Sequence, residues 1–141
     1  MKKLIYIILL TNFLNAEYLR DNNKNVVLDS STNLMWEDSS QSKTNTKSWS
    51  DAIAYCENLT FAGYSDWFLP NYTELLSIVE PQNQPPISSA FQNFTADKHW
   101  SSTTRASDTS IGLGIDFNHG HTHDIYGKGA TIYVTCARNM Q

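Results

Sequence analysis

The sequence predicts a single α+β domain. Two stretches repeat apolar residues at helical spacing, Trp49-Ala52-Ile53-Cys56-Leu59 and Tyr72-Leu75-Leu76-Val79. Six short runs of strand formers are bounded by Gly, Asn, Asp and Ser clusters. Neither a repeat nor a linker interrupts the 141 residues, a length that suits one domain with a real core.

Lys2 and Lys3 precede an apolar run from Leu4 to Leu10, and Leu14-Asn15-Ala16 offers a small residue for cleavage. Residues 1–16 therefore read as an export signal, too short to span a bilayer. Residues 17–25 are polar and expected to be a flexible N-terminal segment, so the domain proper is expected over 26–138. Val26-Val27-Leu28 and Leu34-Met35-Trp36 flank the turn formers Asp29 to Asn33 and predict a hairpin. Residues 37–47 read as a polar loop. The first helix starts at Ser48, a capping residue, with Asp51 facing the positive end of the helix dipole. Asn71 and Glu74 have the spacing of a capping box for the second helix, with Pro81 as its stop. Residues 80–98 hold three prolines and many amides and predict a long loop pinned by Phe91 and Phe94. Strands are then expected at 99–103, 111–117, 121–126 and 131–137. A polar connection fills 104–110, and Asn118-His119-Gly120 makes a turn.

Composition excludes several classes. Apolar residues make up 40% and charged residues only 17%, which argues against disorder. Ten basic residues face 14 acidic ones; loss of residues 1–16 removes Lys2 and Lys3 and no acid, moving the balance from -4 to -6. An acidic domain without a basic cluster is a poor nucleic-acid ligand, and no segment predicts stable membrane insertion. Cys56 and Cys136 lack the C-x-x-C spacing of a redox dithiol or thiolate zinc site. An even pair in an exported chain suggests a disulfide; two free buried thiols are the alternative, and the residues leave both open.

The order of motifs resembles a bacterial family, the Lcl C-terminal domain, typed by the C-terminal domain of the Legionella collagen-like adhesin. The pieces are Asp29-x-x-Thr32-x-Leu34-Met35-Trp36, Trp49-x-x-Ala52-x-x-x-Cys56-x-x-Leu59 and Ala62-Gly63-Tyr64-Ser65-Asp66-Trp67-x-Leu69-Pro70 with Glu74-Leu75. Trp100-Ser101-Ser102-Thr103, Asp116-Phe117-x-x-Gly120 and Tyr133-Val134-x-Cys136-x-Arg138 complete the set, from about 26 to 138. The chain departs from the family at Asn33, usually Gly, at Phe68, usually Arg, and at Thr135, commonly Arg. The resemblance implies a C-type-lectin-like fold of the branch shared with formylglycine-generating enzymes. That fold implies two helices, small antiparallel sheets and termini meeting in one sheet. It also implies a disulfide from the first helix to the last strand, here Cys56 to Cys136. The adhesin that types the family binds sulfated glycans, a ligand that a balance of -6 disfavours here.

The candidate sites are weighed by their chemistry. Alternating His119, His121 and His123, with Asp116 and Asp124, are the best candidate metal ligands, but a site needs three or four convergent groups. A solvated hairpin tip is the preferred reading. Glu80-Pro81-Gln82 is similar to the triplet of calcium-dependent sugar binders, but lacks companion oxygen ligands and reads as a helix stop. Ser101 or Ser102 beside His99 has no nucleophile elbow, and the cysteines are expected in a bridge rather than in oxidase chemistry. All four Trp are expected in the core, Trp36, Trp49 and Trp67 by their patterned segments, with Trp100 the best candidate among them for partial exposure. The resulting expectation is an exported, secreted or envelope-associated, non-catalytic binding or adhesion module in the periplasm, at the cell surface or outside the cell, without a cofactor and contacting a surface glycan or protein ligand. Its contacts are expected on the 80–98 loop and the 104–110 connection, with Phe91, Phe94, His99 and Trp100 as binding residues. A structural or partner-binding envelope subunit, or an enzyme of unrecognised type, are the alternatives.

Overall fold

A computed structural model describes residues 17–119 and 121–141. The export signal expected over 1–16 lies outside the described residues. Tyr18–Asp21 (β1), Val26–Asp29 (β2) and Leu34–Glu37 (β3) form an antiparallel meander. Ala137–Asn139, the last strand of the chain (β9), pairs antiparallel with β3 and brings the C-terminus into the same four-stranded sheet.

The hairpin of β2 and β3 forms where the sequence predicts it. Asp29, fully buried, turns the chain by accepting hydrogen bonds from the backbone and hydroxyl groups of Ser31 and Thr32. Asn33 adopts φ 59°, a left-handed conformation that Asn tolerates better than most residues with a Cβ. Alternate residues of these strands enter two different cores. Val26 and Met35 pack with Trp67, Trp100 and the cysteines, whereas Val27, Leu34 and Trp36 pack with Leu75, Ile78 and Phe117. A sheet covered on both faces reads as an unbroken apolar run, as 26–28 and 34–36 do.

One expectation is corrected at the N-terminus. Residues 17–25 contain an ordered strand, β1, paired to β2 through four consecutive residues. Tyr18 donates its hydroxyl to Ser77 O at 2.8 Å, and Arg20 forms a buried ion pair with Asp38. Ladder bonds and long-range side-chain contacts hold a strand whose two apolar residues, Tyr18 and Leu19, are too few to set a pattern.

The 37–47 segment is also more ordered than expected, with a 3-10 turn at Ser40–Lys43 and a short strand, Thr46–Lys47 (β4). Ser48 caps the first helix, Trp49–Glu57 (α1), by accepting from Asp51 N. The Cys56 side of α1 is buried and forms a disulfide with Cys136, Cα atoms 5.5 Å apart. Asn71 and Glu74 form the predicted capping box of Tyr72–Leu76 (α2), which ends at Ser77, short of Pro81. Ile78 beyond it is fully buried.

The second sheet contains β4, Lys98–Thr104 (β5), Ile111–Asp116 (β6), His121–Gly127 (β7) and Ile132–Tyr133 (β8), in the order β4-β8-β5-β6-β7. It is mixed rather than antiparallel throughout, because β5 and β8 run parallel at His99↔Tyr133. The single strand expected over 131–137 divides into β8 and β9, which belong to different sheets. Between them Val134 and Cys136 are fully buried, Val134 N bonds Asn45 O, and Cys136 O accepts from Glu37 N. The apolar run is a crossover through the core, bonded to the residue before β4 on one side and to β3 on the other, so alternation of Ile132, Val134 and Cys136 toward one core persists without one ladder. Among the described residues no helix is long and apolar enough to cross a membrane.

Candidate functional site

The long connection after α2 is the segment in which function was expected, and it is built on tight local geometry. Glu80 N donates to Pro86 O at 2.9 Å, and Val79 pairs with Ile87. The Asn83 amide bonds both the Glu80 carboxylate at 2.8 Å and Ile87 O at 3.0 Å. Ile87 and Phe91 enter the second core, where Phe91 meets Tyr18, Trp36 and Phe94 edge-on.

Two buried polar anchors fix the second half of the loop. Asp38, fully buried, accepts from Gln92 N at 2.8 Å and Asn93 N at 3.0 Å, and its backbone carbonyl accepts from the Asn93 amide at 2.7 Å. Arg20 supplies the counter-charge. His99, also fully buried, lies against Phe94 with ring centroids 4.1 Å apart, nearly parallel, and faces Tyr133 on its other side. Its Nε2 lies 2.8 Å from Thr95 O, so this nitrogen carries the proton, and its Nδ1, 3.0 Å from Thr135 Oγ1, accepts from the hydroxyl. Burial pulls the imidazole down to about 4, against the opposing pull of the Thr95 carbonyl and the Asp97 charge.

On its outer side the loop encloses an open hollow of about 480 Å³ lined by Gln82, Asn83, Gln84, Pro85, Ile87, Ser88, Ser89 and Phe91. None of these side chains is ionisable. Gln82, Gln84 and Ser89 are exposed. A rigid rim of amides and hydroxyls suits uncharged polar ligands, which both donate and accept hydrogen bonds. A second, larger hollow of about 700 Å³ runs along the outer face of α1 past Lys47, Asp51, Tyr55 and Asn58.

The structure brings Phe91, Phe94 and His99 together but turns them inward. His99 and Trp100 are both 0% exposed. Trp100 faces the other core, the preferred reading of this residue, and donates its indole N–H to Lys47 O, so the partial exposure for which it was the best candidate among the Trp is absent. These residues hold the loop, and the side chains it exposes at the hollow are Gln82, Gln84, Pro85 and Ser89. The reason is the alternation of β5, which sends His99 and Trp100 into opposite cores. Ser101 donates to Leu113 O, and both His99 nitrogens are committed elsewhere, so no serine–histidine pair forms.

At the hairpin tip His119 Nδ1 lies 3.2 Å from Asp116 Oδ2, with the His119 side chain 60% exposed. The side chains of His121 and His123 lie outside the described residues. Among the described residues no three His, Cys, Asp or Glu side chains gather as metal ligands. Burial raises the Glu37 carboxyl, opposed by hydrogen bonds from Ser39 and Tyr55; Tyr55 is pushed up to about 12 by burial and then by Glu37. Glu37 itself lines neither hollow.

Arg20, Asp38 and Thr135 escaped the sequence reading. Arg20 and Asp38 stand in polar segments without periodicity. Thr135 had one signal, the departure that the family resemblance implied there; its hydroxyl is buried against His99.

No curated protein matches the chain. A family model does, over residues 25–138, which takes in both sheets from β2 onward, both helices, the disulfide and the whole anchored loop. With the motif order, the bridge and the matched span in agreement, the chain belongs to the Lcl C-terminal domain family.

Proposed function

We propose that this protein is an exported, non-catalytic binding or adhesion module that contacts its ligand through the 80–98 loop. The observation that carries the reading is the hollow at Gln82, Gln84 and Ser89, set on a loop fastened by Asp38 and His99. A prefastened loop loses little entropy on binding. The adhesin-associated family and the disulfide support export, since such bridges persist in oxidising compartments. The non-catalytic reading is supported by the placement of Glu37 and His99, two groups whose titration burial shifts, inside the core and bonded there. The C-type-lectin-like reading of the fold is supported by the shared sheet of the two chain ends and the bridge from α1 to the last crossover.

The test is binding to a printed panel of neutral and sulfated glycans and extracellular-matrix proteins. Gln82→Ala/Gln84→Ala/Ser89→Ala should abolish binding and keep the melting curve, and Thr44→Ala should change nothing. Equal binding by the triple variant would move the site away from the loop.

A second reading, a partner-binding envelope subunit, is favoured by one patch. Leu19 is 63% exposed and, with Leu28 and Met140, lines an apolar hollow of about 330 Å³. Concentration-dependent self-association or capture of an envelope protein, abolished by Leu19→Asp, would favour that reading.

A further inference from the structure

The family match begins at residue 25, yet β1 lies before it and reaches under the loop. Tyr18 and Arg20 share the face of β1 that meets the 80–98 segment. Tyr18 packs edge-on against Phe91 and donates its hydroxyl to Ser77 O, at the base of the loop. All three nitrogens of the Arg20 guanidinium are bonded. Nε bonds Asn22 Oδ1 at 2.7 Å and Nη2 bonds Asn25 Oδ1 at 3.1 Å, which fixes one side to the β1–β2 turn. Nη1 reaches the Asp38 carboxylate and Ala90 O, the latter at 3.3 Å. The Asp38 carboxylate in turn receives the backbone N–H groups of Gln92 and Asn93. A continuous series of hydrogen bonds thus runs from the N-terminal edge strand to the loop, across 54 to 70 positions of sequence.

We infer that residues 18–21, outside the matched family domain, are a clamp for the contact loop, with Arg20 as its positioning residue acting through Asp38. The role in binding rests on the reading of 80–98 as the contact surface; the clamp is tested without any ligand. The Arg20 and Asp38 side chains are 8% and 1% exposed. A carboxylate this buried needs its counter-charge. Without the guanidinium it is driven to take up water or turn outward, and the two loop amides it holds lose their acceptor. Local opening of the loop then requires no unfolding of the sheets.

Hydrogen exchange of the purified protein tests this, read at the Gln92 and Asn93 amides and, as internal reference, at Trp100 and Ile115 in β5 and β6. In Arg20→Gln the two loop amides should exchange at least tenfold faster, with the reference amides unchanged. Arg20→Lys, which keeps the charge and loses the fork, should fall between. Unchanged exchange at 92 and 93 would overturn the clamp. Equal acceleration at all four amides, in either variant, would also overturn it, because Arg20 would then serve overall stability only. Should Arg20→Gln not fold, Arg20→Lys decides by the same comparison.

Discussion

Lowering the pH from 7 to 4 should destabilise the protein through His99, and the size of the effect follows from its site. The imidazole is fully buried between Phe94 and Tyr133 and titrates at about 4, against an ordinary value near 6.5. Between those values the unfolded chain binds a proton that the folded chain refuses. Stability from the neutral imidazole is therefore complete above pH 6.5 and is lost progressively as pH falls toward the folded value. The linkage amounts to about 2 kcal/mol at pH 5 and about 3 kcal/mol at pH 4, relative to pH 7. Carboxylates also titrate in this window, so the comparison needs a variant without the ring. In His99→Gln the amide N–H can still reach Thr95 O, and the His99 share of the pH dependence vanishes. Urea unfolding at pH 7 and pH 5 should show a midpoint loss larger in the parent than in the variant by about 1.3 M, for a slope of about 1.5 kcal/mol per M. Equal midpoint losses would show that His99 protonates in place, and the account of its burial would be wrong.

Three further outcomes are expected. Cys56→Ser/Cys136→Ser should lower stability by about 4.5 kcal/mol, the chain-entropy value for a bridge spanning 80 positions, while thiol titration of the unreduced parent finds none free. Gly114→Ala should destabilise more than Gly112→Ala, each by about 1–3 kcal/mol in thermal unfolding. A Cβ at Gly114 would lie 2.6 Å from the backbone oxygen of His99, whereas one at Gly112 meets side chains of Trp100 and Trp49 at 2.8 Å; the reverse ranking would show that the β5–β6 backbone yields more easily than the two indoles. N-terminal sequencing of exported protein should begin at Glu17, and recovery of the full-length chain alone from the periplasm or medium would refute cleavage after Ala16.

Much of the fold was legible because it depends on local chemistry. Ser48 and the Asn71–Glu74 pair mark helix starts through hydrogen bonds spanning three residues, and Asp29 turns its hairpin within the next three. The bridge followed from the family resemblance and from a helix stripe that aims Cys56 inward. What escaped was decided across long distances. Val134 to Cys136 has the pattern of a strand, but its hydrogen bonds go to Asn45 and Glu37, so the chain changes sheets there. Gly112 and Gly114 stand where two indoles and a backbone oxygen from distant segments leave less than 3 Å for a Cβ, a crowding that no local pattern shows.

The candidate site divides in the same way. The sequence alone determined that residues 80–98 form a long loop and that Phe91 and Phe94 pin it, since prolines, amides and isolated aromatics act locally. Only the tertiary structure decided that His99 and Trp100 face two separate cores, that Gln82, Gln84 and Ser89 are exposed at one hollow, and that Arg20 and Asp38 bond to the loop. A buried ion pair has no periodicity and no propensity, because its partners meet only after the sheets have formed; pairing then offsets the cost of burying both charges.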